Sequence, residues 1–143
     1  MKKTVISTLI AVTMLLVVSC SSFDIPGTRW AGTASGTMSV GGMSATVGMC
    51  DTLQFSSDRA GKLIQKSYTE AMGMTNEGER TSIDFSYKFD GSEGTITFNR
   101  KSHPFTYNRG DKTLTVEMVV KDEAGYDEFV QSFGSNKVTF KMY

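Results

Sequence analysis

The sequence predicts an all-β domain, an eight-stranded antiparallel meander barrel with one short helix before the last strand. Three observations carry this reading. Apolar and polar residues alternate with period two in one segment after another, most clearly where Ile83, Phe85, Tyr87 and Phe89 interleave with Ser82, Asp84, Ser86 and Lys88. Short turn signals, among them Gly41-Gly42, Asp90-Gly91 and Arg109-Gly110-Asp111, separate the segments. A single stretch, with Tyr126, Phe129, Val130 and Phe133 at i, i+3, i+4 and i+7, has the spacing of a helix face. With 143 residues, fourteen Gly, two Pro and fifteen aromatic residues, the chain suits one domain of short strands and tight turns.

The N-terminus reads as an address. Lys2 and Lys3 precede an apolar run over residues 5–18, too short to cross a hydrocarbon core of about 30 Å, and residues 1–19 are therefore expected to be a signal peptide. The run ends in Val17-Val18-Ser19-Cys20, which resembles the lipobox of bacterial lipoproteins. That resemblance implies cleavage before Cys20, a diacylglycerol on its sulfur and usually a third acyl chain on the new amino group. At about 0.8 kcal/mol per buried CH₂, two or three long chains make a durable anchor, so Cys20 is the expected lipidation site and a membrane the expected partner. The alternative is an ordinary secretory signal in which Cys20 is incidental. Residues 20–27 then form a lipidated tether and residues 28–143 the barrel domain.

The strands follow in order. From Trp30, alternate residues Trp30, Gly32, Ala34, Gly36, Met38 and Val40 share one face, and Gly41-Gly42 turns the chain into Met43, Ala45, Val47 and Met49. Asp51 interrupts that apolar face before Leu53 and Phe55, which predicts a bulge or a change of parity near residues 50–52. A polar turn at residues 57–61 leads to a third strand near residues 62–72, whose facing the pattern leaves ambiguous. The fourth strand covers residues 82–89. Ile96 and Phe98 mark the fifth and Phe105 and Tyr107 the sixth, separated by residues 100–104. Leu114, Val116, Met118 and Val120 mark the seventh. The helix has Asp122 to cap its start and Gly134 to end it, and Val138, Phe140 and Met142 form the eighth strand. Rolling such a meander so that its first and last strands pair removes both exposed edges, which makes the closed barrel the economical arrangement and a two-sheet sandwich the alternative.

From about residue 27 to residue 143 the chain resembles the lipocalin-like lipoproteins of Gram-negative bacteria, relatives of the calycin barrels. The likeness is carried by Gly27-Thr28-Arg29-Trp30-Ala31-Gly32-Thr33 and by the strand count, with Gly-x-x-Trp where lipocalins proper have Gly-x-Trp. It implies a non-enzymatic protein of the cell envelope, lipid-anchored to the periplasmic or the outer face of the outer membrane.

Charge and composition narrow the chemistry. Fifteen basic residues balance fifteen acidic ones and the calculated pI is 6.6, so there is no basic stripe for nucleic acid. Removal of Lys2 and Lys3 leaves thirteen basic against fifteen acidic residues, so nothing in the charge suggests electrostatic adhesion to anionic lipid. Cys50 is then a lone thiol, read as an inert packing residue. His103 is the only histidine and is read as a loop residue beside Pro104; no zinc ligand set accompanies it. With no phosphate-binding loop, dinucleotide fingerprint or nucleophile elbow, we expect no catalytic residue, metal or cofactor. Asp122-Glu123 and Asp127-Glu128 are read as charges favoured at a helix start.

Meander topology puts the turn at Gly41-Gly42 and the connections near residues 72–79, 100–104 and 122–135 at the end distal to the anchor, with Trp30 plugging the closed end. Met38, Met43, Met72, Met74 and Met118 fall in that distal half. Unbranched thioethers mould to varied apolar shapes, so Met38, Met43, Met72, Phe98, Phe105 and Met118 are the expected lining of a pocket for a small apolar ligand at the distal mouth. The alternatives are that these methionines pack the core, and that the protein is an interaction module, such as an envelope protease inhibitor or an outer-membrane complex subunit, with an envelope protein as partner.

Overall fold

Period-two alternation produces eight strands and one helix in chain order: β1 (Arg29–Val40), β2 (Met43–Phe55), β3 (Ala60–Ala71), β4 (Met74–Phe89), β5 (Glu93–Phe98), β6 (Lys101–Asn108), β7 (Thr113–Glu117), α1 (Tyr126–Phe133) and β8 (Lys137–Met142). The structure, a computed structural model, describes residues 25–143, with the side chain of Val40 excepted. The expected signal peptide, the expected lipidation site Cys20 and residues 20–24 of the expected tether lie outside the described residues. Each strand pairs antiparallel with its neighbour in sequence, and β1 pairs with β8 across Trp30–Met142, Ala31–Lys141 and Gly32–Phe140, which closes the barrel. The meander barrel is therefore the fold, and the sandwich is not.

The wall is uneven. Strands β1 to β4 contain 12, 13, 12 and 16 residues, whereas β5 to β8 contain 6, 8, 5 and 6. Strand β5 meets β4 only where Gly94–Thr97 pair with Ser86–Phe89. The cylinder is thus complete only near its lower end, and β1 to β4 rise above it as a four-stranded wall. Residues 72–79, expected as a distal loop, form instead a two-residue turn at Met72-Gly73 and the first part of β4. Exposed polar residues without apolar alternation hid this extension, because pairing with β3 rather than burial holds it.

Three further expectations are corrected. Asp51 causes no bulge: β2 pairs in unbroken register with both β1 and β3, and the carboxylate simply points inward with Leu53 and Phe55. The irregularity lies in the β3–β4 pairing between Lys66 and Tyr68, where β4 holds an extra residue near Gly78. Residues 101–104 are not a loop, because β6 begins at Lys101 after a tight turn at Asn99-Arg100, and His103 is a buried strand residue. The helix has the expected span and Gly134 ends it in the left-handed conformation, its N–H bonded to Val130 O at 2.8 Å. Gly125 rather than Asp122 occupies the N-cap, without a side-chain bond.

The core fills the closed end. Trp30, Leu53, Phe55, Leu63, Ile96, Phe105, Leu114, Val116 and Phe140 are all buried. Rings meet edge to face, with Trp30 6.0 Å from Tyr107 and Phe55 4.8 Å from Tyr87, the arrangement their quadrupoles favour. The Trp30 indole donates to Thr28 Oγ1 at 2.8 Å, and Thr28 Oγ1 donates to Ile25 O at 2.6 Å. Ile25 is itself buried in this cluster, and Gly27 N donates to Phe55 O. The end of the stretch read as tether is thus part of the barrel.

Candidate functional site

Inward-facing positions on the tall wall can be followed upward from the core. On β1 they run Trp30, Gly32, Ala34, Gly36, Met38; on β2, opposite in register, they run Leu53, Asp51, Met49, Val47, Ala45, Met43. On β3 and β4 they are Leu63 with Ile83, Gln65 with Thr81 and, beyond the bulge, Ala71 with Met74. The lower members are buried and the upper ones open: Met38 is 44%, Met43 59% and Met74 71% exposed, and Met72, on the turn itself, 80%. Val47 and Met49 lie between, half-buried.

Helix α1 leans over this concave face from one side. A Cβ placed on Gly36 would lie 1.6 Å from Ser132 O, so only glycine lets β1 and the helix end approach this closely. Phe129 and Phe133, 4.7 Å apart, pack from the helix onto the top of the core. The helix contacts β1, which leaves the upper faces of β2, β3 and β4 open as one side of a trough.

The six residues expected to line one pocket are separated. Met38, Met43 and Met72 belong to the open upper wall, while Phe98, Phe105 and Met118 are buried core residues below it. Sequence spacing could not divide them, because inward parity is the same in both places and only the height of the neighbouring strand decides burial. Met74 joins the first group. Met72 is also conformationally unusual, with φ of 53° where the turn favours glycine or asparagine.

Two polar side chains mark the floor. Asp51 is 1% exposed, lies between Gly32 and Gln65 in register, and neither carboxylate oxygen has a well-formed hydrogen bond. Burial pushes its pKa up to about 6, against the opposing effect of the neighbouring Gln65 amide. On the short wall His103 stacks on Phe98 at 4.0 Å with Nδ1 2.9 Å from Glu117 O, a contact in which the ring nitrogen must donate. Its Nε2 lacks a hydrogen bond and lies 3.8 Å from Glu123 Oε2, which accepts from Val120 N. Among the described residues, no three His, Cys, Asp or Glu side chains come together to hold a metal ion. Neither is marked in the sequence, where Asp51 interrupts an apolar face and His103 stands beside Pro104. Only the alternation of His103 with Phe105 and Tyr107 signalled its inward position.

The outer wall is different in kind. A groove of about 650 Å³ runs past Ser86, Lys88, Thr95, Thr97 and Ser102, and another of about 560 Å³ past Thr106, Thr113, Thr115 and Thr139. Both are open and polar, and neither adjoins the methionines. Cys50, expected to be a packing residue, is instead exposed on the outward side of β2, because its parity is opposite to that of Asp51 and Leu53. No family model, curated protein or solved structure matches this chain.

Proposed function

We propose that this protein is a non-enzymatic, lipid-anchored lipoprotein of the cell envelope, tethered at Cys20 to the outer membrane, which binds a small apolar ligand on the methionine-bearing concave face above its lipocalin-like barrel. The observation that carries this reading is the exposure of Met38, Met43, Met72 and Met74 together at the top of one wall; among the described residues the other exposed large apolar side chains are Met142 and Tyr143, at the C-terminal end of the chain. Exposed apolar surface concentrated in one place marks a contact site. Met72 strengthens the point, because an apolar side chain at an exposed left-handed turn position sacrifices local stability without packing in return. Flexible thioethers suit a ligand whose shape the wall must follow.

A second reading, the interaction module, is favoured by one specific observation: the lower barrel is filled by side chains, so the apolar surface is open rather than enclosed. Native protein extracted from membranes separates the two. The carrier predicts a stoichiometric small molecule in denaturing mass spectrometry, lost on replacing Met38, Met43 and Met74 by Ser; a protein partner cross-linked to the same positions, with no small molecule, establishes the module instead. Incorporation of labelled palmitate, abolished by Cys20→Ser, tests the anchor separately.

A further inference from the structure

Among the described residues, the tall wall leaves a strand edge without a neighbour. Strand β4 is paired with β3 from Met74 to Ser86, but β5 covers only Ser86–Phe89, so over residues 74–85 one row of β4 backbone N–H and C=O groups faces away from the sheet. Such an edge is a template for another strand. The bulge near Gly78 breaks the upper part of the row, and residues 80–85 below it remain regularly extended.

The charges on this short segment are poorly partnered among the described residues. Arg80 stands opposite Lys66 on β3, a like-charged cross-strand pair, and Lys66 itself pairs with Glu77. Among the described residues Arg80 makes no ion pair, and Asp84, with its side chain 88% exposed, has only Lys62 at 3.8 Å.

We infer that β4 pairs with β4 of a second copy of this chain, antiparallel and centred on Ser82. A two-fold axis perpendicular to the sheet keeps the two faces continuous and opposes residues spaced equally about its centre. Centred on Ser82, Arg80 faces the second copy's Asp84 and Asp84 its Arg80 on the outer face, while Thr81 faces Ile83 on the concave face. The neighbouring registers fail. Centring on Arg80 or Asp84 opposes like charges, centring on Thr81 sets Asp84 against the bulged Gly78, and centring on Ile83 sets Arg80 against Ser86, whose edge β5 already occupies. Only the Ser82 register gives two symmetric ion pairs. The five-residue ladder makes the association weak and reversible, runs the two barrels in opposite directions, and joins their concave faces into one eight-stranded surface. It is independent of what that surface binds.

Sedimentation velocity of the purified protein from about 1 μM to about 1 mM tests the inference. We expect a reversible monomer–dimer equilibrium that Arg80→Asp weakens by at least about tenfold and that Arg80→Asp combined with Asp84→Arg restores to within about threefold. Ser82→Cys, in a Cys50→Ser background, is expected to form an interchain disulfide under mild oxidation, because directly opposed strand residues lie within bridging distance, and Arg80→Asp is expected to suppress it. All four positions are exposed, so these variants keep the core intact. A protein monomeric throughout the range, or a dimer indifferent to the charges at positions 80 and 84, overturns the inference. So does a monomer that protects the amides of residues 80–84 only on adding an unrelated extended peptide, which would assign the edge to a different partner.

Discussion

At the foot of β1 and β2, Trp30 and Phe55 are sealed among aromatic rings, whereas at the top of the same two strands Met38 and Met43 stand in solvent. Inward parity is alike at both ends. What differs is the opposite wall: β6, β7 and β8 stand across from the lower half and stop short of the upper. A side chain that points inward is buried only where another wall faces it, so the same alternation builds a core below and a contact surface above. The Asp51 carboxylate sits at the boundary between them.

The largest effect is expected at the closed end. Phe55→Ala removes a ring that touches Phe85 and Tyr87 and should cost about 3–5 kcal/mol in denaturant unfolding; a loss under 1 kcal/mol would mean that the closed end is not the stabilising region. At the boundary the sign reverses. Asp51 has a folded pKa of about 6 against an ordinary 3.8, so the folded state holds the proton more tightly and the penalty for ionising it is absent below about pH 3.8 and complete above about pH 6. Asp51→Asn should therefore raise stability by about 2–3 kcal/mol at pH 7.5 and leave it nearly unchanged at pH 4. A destabilised Asn variant at pH 7.5 would reveal a partner for the carboxylate within the barrel.

Smaller effects sharpen the upper half. Met72→Asn places a residue that tolerates φ near 53° before Gly73 and should stabilise the protein by about 0.5–1 kcal/mol, while weakening retention of an apolar ligand. Loss of stability would show that Met72 packs against something in the folded protein. Met43→Ala should change unfolding free energy by less than about 0.5 kcal/mol, since its side chain is mostly in water already, and thermal unfolding of this variant beside Phe55→Ala measures the contrast directly.

Much of the barrel was legible because one-sided burial writes itself as alternation. Ile83 to Phe89, Leu114 to Val116 and Val138 to Phe140 announce strands with a core face, and the helix spacing from Tyr126 to Phe133 gives the element its full span. The upper part of β4 was illegible for the complementary reason, since residues 74–80 are exposed and carry no apolar period. The candidate site was half legible. Methionines flagged the distal end, but nothing local separates Met38, which is open, from Met118, which is buried. Asp51 misled because a charge on an inward face suggested a shifted register rather than a buried carboxylate.

The periodicities, the turns at Gly41-Gly42 and Gly134, the helix and the order of the strands are written in the chain itself, since these depend on neighbours a few residues apart. The sequence also carries the lipobox-like segment on which the proposed anchor rests. Tertiary structure alone decided the relative heights of the two walls, and with them which inward side chains are core and which are surface. That decision rests on contacts between residues far apart in the chain, as where Gly36 meets Ser132 or Asp51 meets Gln65, and burial is a property of what stands opposite rather than of what lies adjacent.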